Sequence, residues 1–187
     1  MVARAVSAPL ARLPNALTLL RLALVPFFVA VYLAAGDGSS WAAGWIFLVA
    51  GVTDQVDGFL ARRWRVESRF GRIADPLADR LMIDAAVILL WLEGKLPWPG
   101  ALVIVLRDAV LVGGYKLLMP KGVELSVSML GKIATWLLYL SVGILTVVGH
   151  RTEWPLWLFW LGLGLALLAA AQYVAAARRQ VSTREPS

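Results

Sequence analysis

The chain has 187 residues, of which 60% are hydrophobic and 16% are charged, with one histidine and no cysteine. Soluble domains are usually nearer half apolar and a quarter charged, so this composition excludes an ordinary soluble enzyme and a disordered chain. The lack of cysteine excludes disulfides, thiolate metal sites and a cysteine nucleophile, and a single histidine excludes a two-histidine zinc site. The net charge of +6 indicates contact with anionic lipid rather than with nucleic acid.

Six apolar stretches follow one another along the chain, each close to the roughly 20 residues that a helix needs to cross a bilayer. They cover residues 15–35, 41–60, 73–92, 97–118, 127–148 and 154–176. The sequence therefore predicts an all-α polytopic membrane protein, a bundle of six transmembrane helices over residues 14–177. Residues 1–13 form either a juxtamembrane helix lying flat on the inner surface or a frayed leader, and residues 178–187 form a polar tail.

Basic residues are distributed unevenly between the loops. Twelve lie in the N-terminus, the second loop, the fourth loop and the C-terminus, whereas the third and fifth loops hold only Lys95 and Arg151. The positive-inside rule then places both termini in the cytoplasm, which an even number of spans allows. We expect a multi-pass protein of the cell membrane.

Ten ionisable residues fall inside the predicted spans, where charges are costly and usually mark a functional cavity or a buried ion pair. The basic ones are Arg21, Arg80, Arg107 and Lys132, and the acidic ones are Asp54, Asp57, Asp75, Asp79, Asp84 and Asp108. We interpret Asp84 and Asp108 as members of buried ion pairs that hold the bundle together. The other four aspartates are spaced differently.

Asp54 and Asp57 are three residues apart, and Asp75 and Asp79 are four apart, so each pair lies on one helix face. Spans two and three form an antiparallel hairpin in which the two pairs lie at the same depth, near the cytoplasmic face. Four carboxylates gathered there would repel one another unless cations neutralised them. Oxygen ligands without histidine or cysteine favour Mg²⁺ or Mn²⁺ over zinc.

Small residues share these faces, each four positions from an aspartate of the cluster: Gly58, Ala61 and Gly71. Two interpretations are compatible with them. Small residues let a ligand approach the helix backbone, and they also let membrane helices pack closely. Arg62, at the membrane edge, is well placed to hold a phosphate.

The segment 54–79 resembles the signature of the CDP-alcohol phosphatidyltransferase family, and all eight defining positions match. These positions are Asp54, Asp57, Gly58, Ala61, Arg62, Gly71, Asp75 and Asp79. Eight fixed identities at fixed spacing are a far more specific signal than a lone glycine motif. Residues 14–21 are similar to the family's entry into its first span. Residues 75–80 are similar to the branch that makes phosphatidylglycerol phosphate and cardiolipin.

The resemblance implies an enzyme that transfers the phosphatidyl group of CDP-diacylglycerol to an alcohol and releases CMP. It implies that the four aspartates bind two divalent ions, Mg²⁺ or Mn²⁺, and that Asp79 is also the general base. The nucleotide and pyrophosphate are then expected to contact Gly58, Ala61, Arg62 and Gly71. We expect a homodimer in the lipid bilayer.

Three basic residues bear on the identity of the acceptor alcohol: Arg21, Arg107 and Lys132. They either pair with Asp84 or Asp108, or form a pocket for an anionic acceptor; Arg107 and Lys132 resemble family positions for an acceptor phosphate. Glycerol 3-phosphate is the commonest bacterial acceptor of this branch, and we favour it narrowly. Phosphatidylglycerol, the acceptor of a cardiolipin synthase, is the alternative, because Asp108 and Ala134 stand where the glycerol 3-phosphate enzymes typically have Glu and Lys.

Three other functions compete with this interpretation. A transporter or proton relay also places aspartates in spans, but it does not require small residues at matched offsets. An intramembrane prenyltransferase binds pyrophosphate through aspartates, but its signature order differs. A catalytically silent scaffold would not need the intact signature.

Overall fold

A computed structural model describes the backbone of residues 8–36, 38–64, 71–118, 129–150 and 152–182. It describes the side chains of residues 16–36, 38–53, 80–111, 113, 129–150 and 152–175. The chain forms six helices: α1 (Ala8–Ala35), α2 (Trp41–Trp64), α3 (Gly71–Leu92), α4 (Trp98–Leu118), α5 (Met129–Val147) and α6 (Trp154–Ser182). The predicted all-α class and the six-helix order are confirmed for these parts of the chain.

Three helices are long and apolar enough to cross a membrane by length and composition: Ala16–Ala35, Met129–Val147 and Trp154–Ala175. Large apolar side chains on their outer faces, such as Phe27, Trp136 and Trp157, are more than half exposed, as expected of surfaces that face lipid. The chain is therefore a membrane protein. The spans predicted for α2, α3 and α4, which carry the six aspartates, stay predictions.

Two helices extend beyond the predicted spans. α1 begins at Ala8 and α6 ends at Ser182, so the boundaries that we placed after residues 13 and 177 both fall within helices. The length of an apolar run shows which residues cross the bilayer, but it does not show where the helix ends. A helix can continue beyond the bilayer through alanine, arginine and glutamine, which are good helix formers.

All six helices contribute to one apolar core, in which α5 packs on α6, α1 packs on α2 and α3, and α2 packs on α5. A row of aromatic rings crosses the core: the centroid of Phe28 lies 6.0 Å from that of Phe47, which lies 5.4 Å from that of Tyr139. Small residues set the closest contacts. A Cβ added to Gly44 in α2 would lie 2.4 Å from Cγ2 of Val147 in α5, so only glycine permits this approach.

Helices α1, α3 and α5 all end at the same end of the bundle. We call it the outer end, because the sequence predicts that it lies on the outer side of the membrane. Gly36, directly after α1, and Gly94, two residues after α3, both have a positive φ angle of 72° there, which suits glycine at a helix end. The hydroxyl of Tyr32 donates a hydrogen bond of 2.8 Å to the carbonyl of Gly38. The amide of Ser40 donates one of 2.9 Å to the carbonyl of Thr146. The first bond closes the connection between α1 and α2, and the second attaches that connection to the last turn of α5.

Lys95 of the predicted third loop is buried at this outer end, with 6% of the residue exposed. Its ammonium group donates hydrogen bonds to the carbonyl of Leu145, at 2.9 Å, and to the carbonyl of Val148. These carbonyls belong to the last turn and end of α5, where intrahelical donors run out. Lys95 therefore caps α5 from the connection between α3 and α4.

Candidate active site

The four signature aspartates lie in two helices that pack against each other. Asp54 and Asp57 belong to α2, and Asp75 and Asp79 belong to α3. Because both segments are helical, each pair shares one helix face, as the sequence predicts. The side chains of these residues, and those of Gly58, Ala61, Arg62 and Gly71, lie outside the described residues, so the ligand geometry stays a prediction.

A divalent cation suits the chemistry of this donor set, which consists of carboxylates alone. Among the side chains that the structure describes, no group of three histidine, aspartate or glutamate residues could hold a metal ion. The described part of the chain therefore offers no site that competes with the predicted one.

A second set of charges lies just beyond the signature. Arg80, which directly follows Asp79, and Asp108 are equally far from Gly94 in sequence, so the antiparallel helices α3 and α4 place them at the same depth. Oδ1 of Asp108 lies 2.5 Å from NH1 of Arg80 and 3.1 Å from NH1 of Arg107. We call Arg80, Arg107 and Asp108 the charged cluster.

The charged cluster lies deep in the bundle. Asp108 has 1% of its side chain exposed and Arg107 has 9%, whereas Arg80 has 29%. Burial strengthens charge-assisted hydrogen bonds, and it also makes an unpaired polar atom costly. Oδ2 of Asp108 and Nε of Arg107 are buried and have no hydrogen-bond partner within the described residues. Buried polar atoms are nearly always paired, so Nε of Arg107 is a donor that the described residues leave available.

The three predicted acceptor residues are found in different surroundings. Arg107 pairs with Asp108, which confirms one of the two interpretations of Arg107. Arg21 is 1% exposed on α1 and lies one turn from Thr18, which is equally buried. Lys132, in the first turn of α5, is exposed. The ion pair predicted for Asp108 is confirmed. The ion pair predicted for Asp84 is not found among the described residues, where its Oδ1 is buried and has no hydrogen-bond partner.

Arg80 is the residue to which the sequence analysis assigned no role. A signal for it was present. The equal-depth argument that brought the aspartates of spans two and three together also pairs Arg80 with Asp108 when it is applied to spans three and four. The missing element was the position of the turn at Gly94, about which the two residues are symmetric.

Comparison with known proteins agrees with the signature. The family model described as CDP-alcohol phosphatidyltransferase matches residues 11–171. A protein of Bacillus subtilis named CDP-diacylglycerol–glycerol-3-phosphate 3-phosphatidyltransferase is 37% identical over 145 residues, which cover 71% of this chain and 75% of that protein. An Escherichia coli protein of the same name is 34% identical over 183 residues, covering 89% of this chain and 94% of its own.

A protein of Mycobacterium tuberculosis with a provisional name as a cardiolipin synthase is 39% identical over 145 residues. The match covers 77% of this chain and 67% of that protein. Relatives that carry two different enzyme names are thus similar to this chain to nearly the same degree.

Proposed function

The chain belongs to the CDP-alcohol phosphatidyltransferase family, and on that premise we propose that it transfers the phosphatidyl group of CDP-diacylglycerol to glycerol 3-phosphate. The reaction class rests on the family match and on the intact signature in α2 and α3. The acceptor rests on one observation, the two arginines that share Asp108: Arg80, which directly follows Asp79, and the buried Arg107.

We propose that two divalent ions, Mg²⁺ or Mn²⁺, are held by Asp54, Asp57, Asp75 and Asp79. Such ions offset the negative charge of the pyrophosphate and of the departing CMP. The remaining signature residues act on the nucleotide: Gly58, Ala61 and Gly71 leave the backbone accessible, and Arg62 contacts a phosphate.

Asp79 serves as general base. A hydroxyl of glycerol 3-phosphate is a weak nucleophile at neutral pH, so removal of its proton by a positioned carboxylate assists attack on phosphorus. The new bond joins the hydroxyl oxygen to the phosphorus of the phosphatidyl group. The bond from that phosphorus to the oxygen of CMP breaks, and the proton passes to Asp79.

Arg107 supplies donors for the acceptor phosphate. A guanidinium has five N–H donors in a rigid fork, and the ion pair with Asp108 engages NH1. Nε is buried and has no partner among the described residues, so donor capacity is available for a phosphate dianion. Arg21 and Lys132 complete the proposed acceptor site.

Phosphatidylglycerol is the second candidate acceptor, which would make the chain a cardiolipin synthase. Ala134, where enzymes specific for glycerol 3-phosphate typically have Lys, is fully buried among apolar residues of α5. The position thus provides packing and no cation for a phosphate dianion. Phosphatidylglycerol carries a single phosphate charge and needs fewer cations.

The deciding experiment offers each acceptor separately to the purified protein with CDP-diacylglycerol and Mg²⁺, and identifies the lipid product by mass. We expect phosphatidylglycerol phosphate and CMP from glycerol 3-phosphate, and no CMP in excess chelator. Cardiolipin formed from phosphatidylglycerol, with no product from glycerol 3-phosphate, would replace the acceptor and leave the reaction class standing. Unchanged CMP release in chelator would overturn the metal assignment.

We also propose that the protein is a homodimer of the cell membrane whose termini and active site face the cytoplasm. The chain has no cysteine, so single cysteines can report topology directly. A cysteine at Arg65 should be labelled only from the cytoplasmic side, and one at the exposed Glu153 only from the opposite side. Lys95 is unsuitable because its side chain is buried. The reverse labelling pattern would invert the topology, and cross-linking in membranes tests the dimer.

A further inference from the structure

Asp108 bridges two helices through a single oxygen atom. Its Oδ1 accepts a hydrogen bond of 2.5 Å from Arg80 of α3 and forms an ion pair with NH1 of Arg107 of α4, at 3.1 Å. The carboxyl group is almost wholly buried, at 1% exposure. A buried carboxylate between two guanidinium groups fixes both more firmly than an exposed pair would, since water does not compete for the donors.

The bridge connects two parts of the proposed reaction site. Arg80 directly follows Asp79, the proposed base, on α3. Arg107 lies near the middle of the 21 residues of α4 and is the proposed ligand of the acceptor phosphate. A shift of Asp108 would therefore move a phosphate ligand relative to the residue that removes the proton. Displacements of about 1 Å at such sites can lower rates by roughly a hundredfold.

We propose that Asp108 is a positioning residue for the acceptor: it orients the guanidinium groups of Arg80 and Arg107 so that their remaining donors converge on the acceptor phosphate. This inference rests on the proposed function, because it assigns Asp108 to the acceptor side of that same site. It also gives Arg80 a role, as the second cation of the acceptor site. Asp108 itself does not touch the reacting atoms.

The alternative for Asp108 is a purely structural ion pair that joins α3 to α4. Two features argue for the positioning role. The partners are arginines, whose planar forks suit bidentate recognition of phosphate. The cluster also retains a buried donor, Nε of Arg107, that has no partner within the described part of the chain. An ion pair selected only for stability would be expected to use its buried hydrogen-bonding atoms.

Asp84 offers a matched control. It is a second acid of α3, one turn beyond Arg80, and it also has a buried oxygen without a partner among the described residues. Within those residues, no ion pair joins Asp84 to the charged cluster. Asp84 interacts with the charged cluster only through longer-range electrostatics, so Asp84→Asn changes a neighbouring carboxyl group without removing the bridge.

The test measures initial rates of the full-length protein against glycerol 3-phosphate and, separately, against CDP-diacylglycerol. For Asp108→Asn we expect KM for glycerol 3-phosphate to rise roughly tenfold or more, the change produced by losing one charge-assisted hydrogen bond to the phosphate. KM for CDP-diacylglycerol should stay within about twofold. Asp108→Glu, which keeps the charge, should recover part of the loss, and Asp84→Asn should change neither KM by more than about twofold.

A double-mutant cycle covers the case in which Asp108→Asn is poorly folded. Because Asp108 is proposed to act through both Arg107 and Arg80, Asp108→Glu should raise KM for the acceptor by a smaller factor in the Arg107→Gln background than in the wild-type background. Additive effects, or an equal rise in both KM values for Asp108→Asn, would show a structural ion pair and overturn the proposal. If the wild-type protein makes cardiolipin and not phosphatidylglycerol phosphate, the proposed acceptor is wrong. The same comparison with phosphatidylglycerol as acceptor then decides the role of Asp108.

Discussion

Lys95 at the outer end and Arg107 in the charged cluster are both basic side chains that the fold buries, but their polar contacts differ. Lys95 donates to two backbone carbonyls at the end of α5. Arg107 contacts an acid that it shares with Arg80, and its Nε has no partner in the described residues. Lys95 pairs with backbone carbonyls that have no donor within α5. Arg107 keeps an N–H donor in the interior of the bundle that no described residue uses.

The difference separates structural burial from functional burial in this molecule. A cation whose donors match the open carbonyls of a helix end makes a local contribution to stability. A cation held by a shared carboxylate, next to the signature helix, keeps donors for a substrate. Substitutions in the first half of α3 and in the charged cluster should therefore change catalysis. Substitutions at the outer end should change stability and leave substrate affinity unaltered.

The largest expected effect is that of Asp79→Asn. A general base contributes roughly 100- to 10,000-fold to a rate, so turnover should fall by about that factor. Binding of CDP-diacylglycerol and thermal stability should change little, because the substitution retains the shape of the side chain. Rates of CMP release and binding of CDP-diacylglycerol measure the two effects separately.

Asp54→Asn and Asp57→Asn are the comparison variants for Asp79. They should weaken binding of CDP-diacylglycerol, since these residues are proposed to hold the ions that bridge the pyrophosphate to the protein. Equal loss of binding in all three variants would mean that Asp79 is chiefly a metal ligand, and the general base would then have to be sought elsewhere.

Lys95→Met should show the opposite pattern. Methionine fills similar space but cannot donate to the carbonyls of Leu145 and Val148, and each buried acceptor left unpaired costs about 1–3 kcal/mol. We expect a lower temperature of inactivation in detergent, with kcat and KM unchanged for the protein that remains folded. A raised KM for the acceptor at unchanged thermal stability would remove the distinction between the two regions.

Gly44→Ala should destabilise the contact between α2 and α5 near the outer end. The added Cβ would lie 2.4 Å from Cγ2 of Val147, a β-branched side chain with little rotamer freedom. Such overpacking typically costs about 1–3 kcal/mol. Thermal inactivation measures the effect, and a second substitution, Val147→Ala, should restore most of the loss.

Gly164→Ala is the matched control for Gly44. A Cβ at Gly164 of α6 would meet nothing within 4 Å, so alanine should be neutral or slightly stabilising there through its higher helix propensity. If both alanine variants lost stability equally, helix packing at Gly44 would not be the cause.

Much of this architecture follows from the sequence. Apolar runs of bilayer length predict the helices, and glycines in the polar breaks between the runs predict where the helices end. Gly38 and Gly94 lie in breaks that the sequence predicted. Helix ends were less accessible, since α1 and α6 continue into polar residues that still favour helix. The sequence correctly predicted which helix carries each aspartate pair, because the spacing of residues along one helix depends only on the local sequence.

The residues that the sequence did not place depend on contacts between distant segments. Nothing near Lys95 in the sequence shows that the end of α5 lies against it, fifty residues further along the chain. The bridge from Arg80 to Asp108 needs the register of α3 against α4, which is fixed by the turn at Gly94. Burial of Ala134 needs the packing of α5 in the core. Such tertiary information is weak in a single sequence.

Tyr32→Phe should have the smallest effect, a loss of about 0.5–1.5 kcal/mol of stability. The substitution keeps the ring, whose centroid lies 6.1 Å from that of Phe28, and removes the hydroxyl that donates to the carbonyl of Gly38. Kinetic constants for both substrates should not change, because the hydrogen bond closes the connection between α1 and α2 at the outer end. Tyr32→Leu, which also removes the ring, should cost more. If Tyr32→Phe instead raised KM for the acceptor without a stability change, the outer end would be coupled to the acceptor site, and the separation between the two regions would be wrong.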